Sequence, residues 1–173
     1  MSDDYKIIQL EELTADNPIF KSNGISYVKV TRNGDIEAKA IPIKSTGVSD
    51  AIDAFAREKP TPPIKRVVVK PKDPAFKELG LSKKQHIQTY DLTNKKYLEE
   101  MEEYNSELGM KIVLMGLDID IKETAGGEVV EDESRKIEIL RGMGMTGEQF
   151  TQIVTDITDL TKWEAKKEED FLD

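Results

Sequence analysis

An Asn33-Gly34 pair between two apolar segments is the feature that most constrains the fold of this chain. The pair adopts positive φ angles at low steric cost, as the type I′ turn of a β-hairpin requires. The apolar residues before and after it are Tyr27, Val28, Val30, Ile36, Ala38, Ala40 and Ile41. The charged residues between them are Lys29, Arg32, Glu37 and Lys39. The pattern predicts a hairpin with one face in water, in which Pro42 ends the second strand or confines it to a sheet edge.

The next segment predicts a short helix and then an extended connector. Ser49 or Asp50 is the predicted cap of the helix, and its apolar face would consist of Ile52, Phe55 and Ala56. Three of the four residues 60–63 are prolines, a composition that favours a stiff, extended connector. Two further strands are predicted over residues 64–70 and 85–90.

From Thr93 onward the apolar spacing is that of helices. The first stripe consists of Tyr97, Leu98, Met101, Tyr104 and Leu108. Gly109 either interrupts this helix or lies within it, in which case the helix continues to Gly116. Another helix is predicted over residues 131–140, followed by Gly142 as a terminator.

A capping box marks the start of the last predicted helix. The Thr146 side chain would accept a hydrogen bond from the backbone N–H of Gln149, whose side chain would reach back. One apolar stripe follows, formed by Phe150, Ile153, Val154, Ile157 and Leu160. The helix is predicted to run past Trp163.

These elements predict an α+β fold. A small antiparallel sheet from residues 25–90, including the N-terminal hairpin, is expected to pack against a mainly helical C-terminal half. We expect a single domain over residues 1–173. The alternative subdivision is an N-terminal hairpin region at residues 1–59, the connector at residues 60–63, and a sheet with helices at residues 64–173.

Composition narrows the environment and the partners. The chain has no cysteine, which fits a reducing compartment, and we expect a cytoplasmic protein. No apolar run is long enough to span a membrane. The net charge is −9, and residues 99–173 alone carry 21 acidic residues against 8 basic ones. This acidic half disfavours contact with nucleic acid, whose binding depends on Lys and Arg.

The residues that usually carry catalysis are few in this chain. His86 is the only histidine, and no Gly-x-Ser-x-Gly segment accompanies it, so we expect a strand residue rather than a catalytic base. Asp118 and Asp120 would share one strand face, but the pattern of a calcium loop is missing. Lys65, Arg66 and Lys70 (a small basic patch) lack the aromatic residues of an RNA-binding sheet. The sequence therefore predicts no catalytic residue, no metal and no cofactor.

The methionines indicate more about function than the potential catalytic residues do. Met143 and Met145 flank a glycine in a predicted loop instead of following a helical stripe. Methionine is flexible and polarizable, so it either fills gaps in a core or forms a surface that adapts to apolar partners. A binding surface for another protein would consist of Met143, Met145, Phe150, Ile153 and Ile157.

Two stretches of the sequence resemble one family. Tyr97-Leu-Glu-Glu-Met-Glu-Glu-Tyr-Asn105, continuing to Val113-Leu-Met-Gly-Leu-Asp118, resembles the middle of small proteins encoded in bacteriophage tail modules, the tail assembly chaperones. The segment Gly144-Met-Thr-Gly-Glu-Gln-Phe150, continuing to Leu160, resembles their closing helix. The resemblance covers roughly residues 85–163 and includes neither the hairpin nor the Pro-rich connector.

The resemblance implies a non-catalytic holdase in the host cytoplasm. Such proteins coat the long, helical, apolar tape measure protein until the tail tube polymerises around it. They self-associate, use no cofactor and leave no copy in the finished virion. Two alternatives stay open. One is a permanent structural component of a tail or similar particle, with the hairpin adding a strand to a neighbour. The other is a small enzyme or regulator whose site the sequence does not reveal.

Overall fold

The computed structural model describes residues 6–162 and confirms the α+β class. The elements in chain order are β1 (Asn23–Arg32), β2 (Asp35–Lys44), α1 (Val48–Ala56), β3 (Ile64–Val69), α2 (Pro74–Glu78), β4 (Gln85–Tyr90), α3 (Lys95–Gly116), α4 (Glu133–Gly142) and α5 (Gly147–Asp159). Within these residues the strands form two separate antiparallel pairs, β1 with β2 and β3 with β4. The expectation of one sheet over residues 25–90 is therefore wrong, since α1 and the Pro-rich connector separate the two hairpins.

The first hairpin turns at the predicted residues. Asn33 has a φ of 51° and Gly34 a φ of 86°, so both central residues of the turn take the left-handed values of type I′. Strands β1 and β2 then pair without interruption from the turn to Asn23 opposite Lys44. Pro42 lies inside β2, opposite Ile25, and the strand continues beyond it. Of the two alternatives for Pro42, the sheet edge is the one observed.

The two faces of this hairpin do not divide as the charges suggest. Val28 and Ile43 point inward and are buried, whereas Ile25, Tyr27 and Ile36 point into solvent and are more than half exposed. One face is in water as predicted, but it carries apolar side chains. The charged pair of β2, Glu37 and Lys39, alternates with Ile36, Ala38 and Ala40 and belongs to the other face.

Helix α1 begins differently from the prediction. Its N-cap is Gly47, with a φ of 77°, and no side chain caps the helix, so neither Ser49 nor Asp50 has the predicted role. Glycine suits this position because a left-handed conformation strains other residues. The helix therefore starts at Val48, two residues earlier than a Ser49 cap would place it, and Val48 is fully buried.

The second hairpin is an excursion between α1 and α3. Its strands occupy residues 64–69 and 85–90, within one residue of the prediction. Helix α2 connects them and begins at Pro74, a residue that favours the first turn of a helix. The excursion leaves and returns at one place, because the Asp91 N–H donates a 2.7 Å hydrogen bond to the Pro63 carbonyl.

Helix α3 passes through the main core. The buried members of that core come from the hairpin, α1, α3, α4, α5 and the segment after α3, namely Val28, Ile43, Val48, Ile112, Val113, Ile121, Leu140, Ile153 and Ile157. They lie on both sides of the Pro-rich connector in the sequence. The connector therefore does not separate two independently packed halves.

Two glycines of α3 let α5 approach closely. A Cβ built on Gly109 would lie 3.0 Å from the Phe150 ring, and one built on Gly116 would lie 2.7 Å from Cδ1 of Ile157. Both pairs are seven residues apart in their helices, and they match in the same order, so α3 and α5 run parallel. Gly109 lies inside an unbroken helix because this contact requires it, which decides between the two alternatives for α3.

The ends of α5 confirm one prediction and correct another. Thr146 and Gln149 form both hydrogen bonds of the capping box, at 3.2 and 2.9 Å. The helix ends at Asp159 and Leu160 is its C-cap, so it does not extend past Trp163 as predicted. Trp163 itself lies outside the described residues.

Replacing Gly116 with Ala should test the close approach. We expect Gly116→Ala to lower the free energy of unfolding by roughly 1–3 kcal/mol, since the added methyl group would overlap the fully buried Ile157. Gly142 is the matched control because it also ends a helix and a Cβ there meets no atom within 4 Å. Gly142→Ala should leave stability unchanged or raise it by up to about 1 kcal/mol in urea unfolding. Equal effects of the two substitutions would contradict the packing described here.

Candidate functional site

An open groove beside the Met143–Met145 loop is the main apolar concavity near the predicted binding residues. It has a volume of about 420 Å³. Its apolar lining comes from β2, α3, the segment after α3, α4, the loop and α5, namely Ile41, Val113, Leu117, Ile119, Ile121, Ala125, Leu140, Met143, Met145 and Ile153. We call this concavity the Met143 groove. Its walls are largely aliphatic, so its chemistry is that of an apolar binding surface.

The two methionines have different positions in the groove. Met143 is 62% exposed and lies at the C-cap of α4, where it is available to a bound group. Met145 is half-buried and packs against the core. Gly144, between them, has a φ of 77°, which turns the chain between α4 and α5. The loop therefore presents the adaptable Met143 side chain at the surface and packs the Met145 side chain against the core.

The predicted stripe of α5 mostly faces the core. Ile153 is 1% exposed and Ile157 is 0% exposed, so a partner cannot contact either of them beyond the small part of Ile153 that lines the groove floor. Phe150 is half-buried against Gly109. The periodicity of α5 thus marks its packing face. The predicted residues that line the Met143 groove are Met143, Met145 and a small part of Ile153.

A second, smaller groove lies on the other side of Met145. It has a volume of about 270 Å³ and is lined by residues that include Met110, Phe150 and Arg141. Val113, Leu140 and Met145 line both grooves. Met145 is therefore part of the wall between them.

The wall formed by the segment after α3 was not identified from the sequence. Residues 117–121 read Leu-Asp-Ile-Asp-Ile, and the apolar half of this alternation, Ile119 and Ile121, lines the groove. Ile119 is more than half exposed. The alternation of apolar and acidic residues itself predicts an apolar face opposite the two carboxylates, and this face is the wall of the groove.

The acidic residues do not form a metal site in the part of the chain that the structure describes. Asp118 lies 4.0 Å from the Lys44 ammonium group, at the edge of a polar depression next to the Met143 groove. No group of three or more potential ligands lies close enough to hold a metal among residues 6–162. His86 is an exposed strand residue opposite Val68, and the predicted strand position is confirmed.

An ion pair holds the acidic rim of the groove. Arg135 of α4 donates hydrogen bonds from Nε and Nη2 to the carboxylate of Glu123, the second at 2.6 Å, and from Nη1 to Glu138 at 2.8 Å. The hydrogen bond from Arg135 lowers the pKa of Glu123 below its usual range, and the same contacts raise the pKa of Arg135. Glu123 lines the groove, so this pair ties its rim to α4.

The comparisons with known proteins add no identity. Neither a family model, nor a curated protein, nor a solved structure matches this chain. Among residues 6–162, no helix has both the length and the apolar character of a membrane span. A functional proposal therefore depends on the residues and geometry described above and on the resemblance in residues 85–163.

Replacing Arg135 should change both the pKa of Glu123 and the acid stability. In Arg135→Gln we expect the pKa of Glu123 to rise to its ordinary value near 4.5, measured by carboxyl NMR titration. Because the pair lowers this pKa in the folded protein, its stabilising effect is present above about pH 4.5 and is lost as the pH falls through the folded pKa.

Urea unfolding of the two proteins should therefore differ at neutral pH, and the difference should shrink as the pH falls through the lowered pKa of Glu123. The matched control is Arg57→Gln, because Arg57 is an exposed arginine without an ion pair within residues 6–162. A stability difference for Arg135→Gln that stays constant over this pH range would contradict the role of the pair.

Proposed function

We propose that this protein is a non-catalytic binding factor of the tail assembly chaperone type, and that the Met143 groove receives apolar side chains from a helical partner such as a tape measure protein. The observation that carries the proposal is the exposed Met143 beside an aliphatic groove. Methionine adapts to apolar side chains of different shapes, as a protein that binds many segments of one long partner requires.

The size of the groove favours weak, repeated binding. Two or three large apolar side chains would contribute roughly 1.5–3 kcal/mol each on burial. Association costs on the order of 4–15 kcal/mol in lost freedom, so a single groove offers little net affinity. Stable binding would therefore need many copies that bind along one long partner. This requirement agrees with the coating role that the resemblance implies.

The charge of the chain suits this role. An excess of nine acidic residues disfavours non-specific aggregation of a chain that exposes an apolar surface. The groove rim carries Asp120, Lys122 and Glu123, of which Glu123 is paired with Arg135. A complex of an apolar partner with many acidic copies would remain soluble.

Co-expression should test the proposal. The chain would be produced with a candidate tape measure protein from the same genome, and the soluble, co-purified partner would be quantified. We expect the wild-type chain to bring an otherwise insoluble partner into solution. Met143→Glu should reduce the co-purified amount about ten-fold or more, since burying an unpaired carboxylate costs several kcal/mol.

Two controls separate groove binding from general effects. Met143→Leu conserves the apolar volume and should retain most of the binding. Leu92→Glu changes a side chain of similar exposure (60%) that lies outside the groove lining, and it should bind as the wild type does. If Met143→Glu and Leu92→Glu co-purify equal amounts of partner, the groove is not the binding site. If the wild-type chain solubilises no partner, the chaperone function itself is wrong.

A structural component of a tail is the second candidate, and one observation favours it. Within residues 6–162, no second strand pairs with the outer edge of β2 over residues 35–41, and an exposed strand edge is what strand addition to a neighbour needs. Purified particles distinguish the two candidates, because a structural component remains in them and a chaperone does not.

A further inference from the structure

The free edge of β2 is defined by the register of the hairpin. In a two-residue hairpin the residues flanking the turn form a hydrogen-bonded pair, so the following pairs alternate. Ala38 opposite Lys29 and Pro42 opposite Ile25 are then non-hydrogen-bonded pairs, whose backbone groups point away from the partner strand. The Pro42 carbonyl confirms this geometry, since it accepts a 2.9 Å hydrogen bond from Asp118 on the outer side.

In the part of the chain that the structure describes, only one end of this edge is covered. The Leu117–Asp118 segment lies along it, bridging to Ile43. Further toward the turn, the outward backbone groups of Ile36, Ala38 and Ala40 have no backbone partner among residues 6–162. The side chains of these three residues belong to the solvent-facing apolar face of the hairpin. An added strand here would gain backbone hydrogen bonds and extend that face.

The N-terminal segment has the complementary composition. Residues 6–13 form neither helix nor strand and make no backbone hydrogen bond within the described chain. Four of their side chains are apolar and at least half exposed, namely Ile7, Ile8, Leu10 and Leu13, with Ile7 at 85%. Ile8 and Leu10 are two residues apart, as the residues on one face of a strand are. The segment therefore has residues that suit a strand, but it pairs with no strand among residues 6–162.

The charges of the two surfaces are opposite. Residues 6–16 contain Lys6 and three acidic residues, a net charge of −2. The hairpin, residues 23–44, contains four basic and two acidic residues, a net charge of +2 in a chain whose total is −9. The solvent-facing side of the hairpin carries Lys29 and Lys44 and no acidic side chain, so this side attracts an acidic segment.

The route of the chain favours a second copy as the donor. Ser22 is held at the far end of β2 by hydrogen bonds with Ser45, at 2.9 and 3.0 Å. Between that point and the free edge lies the Leu117–Asp118 segment, which occupies the edge that a chain's own N-terminal segment would have to follow. A segment from a second copy can approach the same edge directly from solvent.

We propose that residues 6–13 of one copy add as a third strand to the free edge of β2 in a second copy. Reciprocal exchange of the two segments closes the assembly as a symmetric dimer. The dimer stands independently of the function proposed above, because it uses neither the Met143 groove nor a partner protein.

Disulfide trapping tests this arrangement in a chain that has no cysteine of its own. The variants Leu10→Cys and Ala38→Cys would be prepared separately, mixed and oxidised, and the rate of formation of the mixed dimer measured. Residues in a hydrogen-bonded strand pair have Cα atoms about 5.5 Å apart, within the range that a disulfide spans. We expect a rate on the order of ten-fold or more above that of Leu10→Cys mixed with Leu92→Cys, which is also exposed but lies outside the hairpin.

A second variant keeps the hairpin and blocks the edge. Ala38→Pro removes an N–H that points away from β1, as Pro42 does in the same strand, so the hairpin should stay intact. Sedimentation velocity should show a dimer for the wild-type chain and a monomer for Ala38→Pro at equal concentration, with unchanged circular dichroism.

Three results would overturn the proposal. They are a mixed-dimer rate equal to that of the Leu92→Cys control, a dimer that persists in Ala38→Pro, and a cyclised monomer as the main product of the double variant Leu10→Cys/Ala38→Cys. The last result would assign the edge to the N-terminal segment of the same chain. Loss of partner solubilisation with an intact dimer would instead count only against the chaperone function.

Discussion

The close contact between α3 and α5 is the constraint on which the rest of the main body depends. Gly109 and Gly116 leave two depressions on one side of α3, and Phe150 and Ile157 fill them. Because this contact fixes α5 along its length, it also fixes the start of that helix at Thr146. Met143 and Met145 directly precede that start, so their position depends on two glycines more than 25 residues away in the sequence.

Polar contacts determine how the first hairpin is placed on α5. The Ser26 hydroxyl, which is fully buried, donates a 2.7 Å hydrogen bond to the Asp156 carboxylate and so connects β1 to α5. The Gln149 side chain donates to the Lys29 carbonyl at 2.9 Å, further along the same strand. A buried polar group is costly unless it has a partner, so these bonds favour one placement of the hairpin on α5. The hairpin is thus held by one face and one edge, and its other face and the open part of its other edge remain in solvent.

Local signals in the sequence predicted local structure well. The Asn33-Gly34 turn, the capping box and the two strands of the second hairpin follow from residues close together in the chain, and the structure confirms them. Errors arose where a distant contact decides the outcome. Gly109 reads equally as a helix break or as a helix residue until Phe150 is placed against it.

The candidate site illustrates the same limit. The apolar stripe of α5 was predicted correctly as a stripe, but its period cannot distinguish a partner-binding face from a core-facing one. Ile153 and Ile157 prove to be core residues. Met143 belongs to no apolar stripe of a helix and lies beside the groove. The opposite wall, formed by Ile119 and Ile121, comes from a segment without regular structure. Such a wall is defined only when α3, α4 and the hairpin are in place.

The short distance between the ends of the excursion has an evolutionary consequence. The backbone of Asp91 returns to Pro63, so the chain reaches α3 from almost the same point at which it leaves the connector. The two strands of the excursion pair with each other, and the main core draws no buried member from them. Insertions, deletions or complete replacement between these two residues would leave the distance between the flanking helices unchanged. This part of the molecule is therefore free to diverge in length and in surface chemistry while the helices and the first hairpin keep their arrangement.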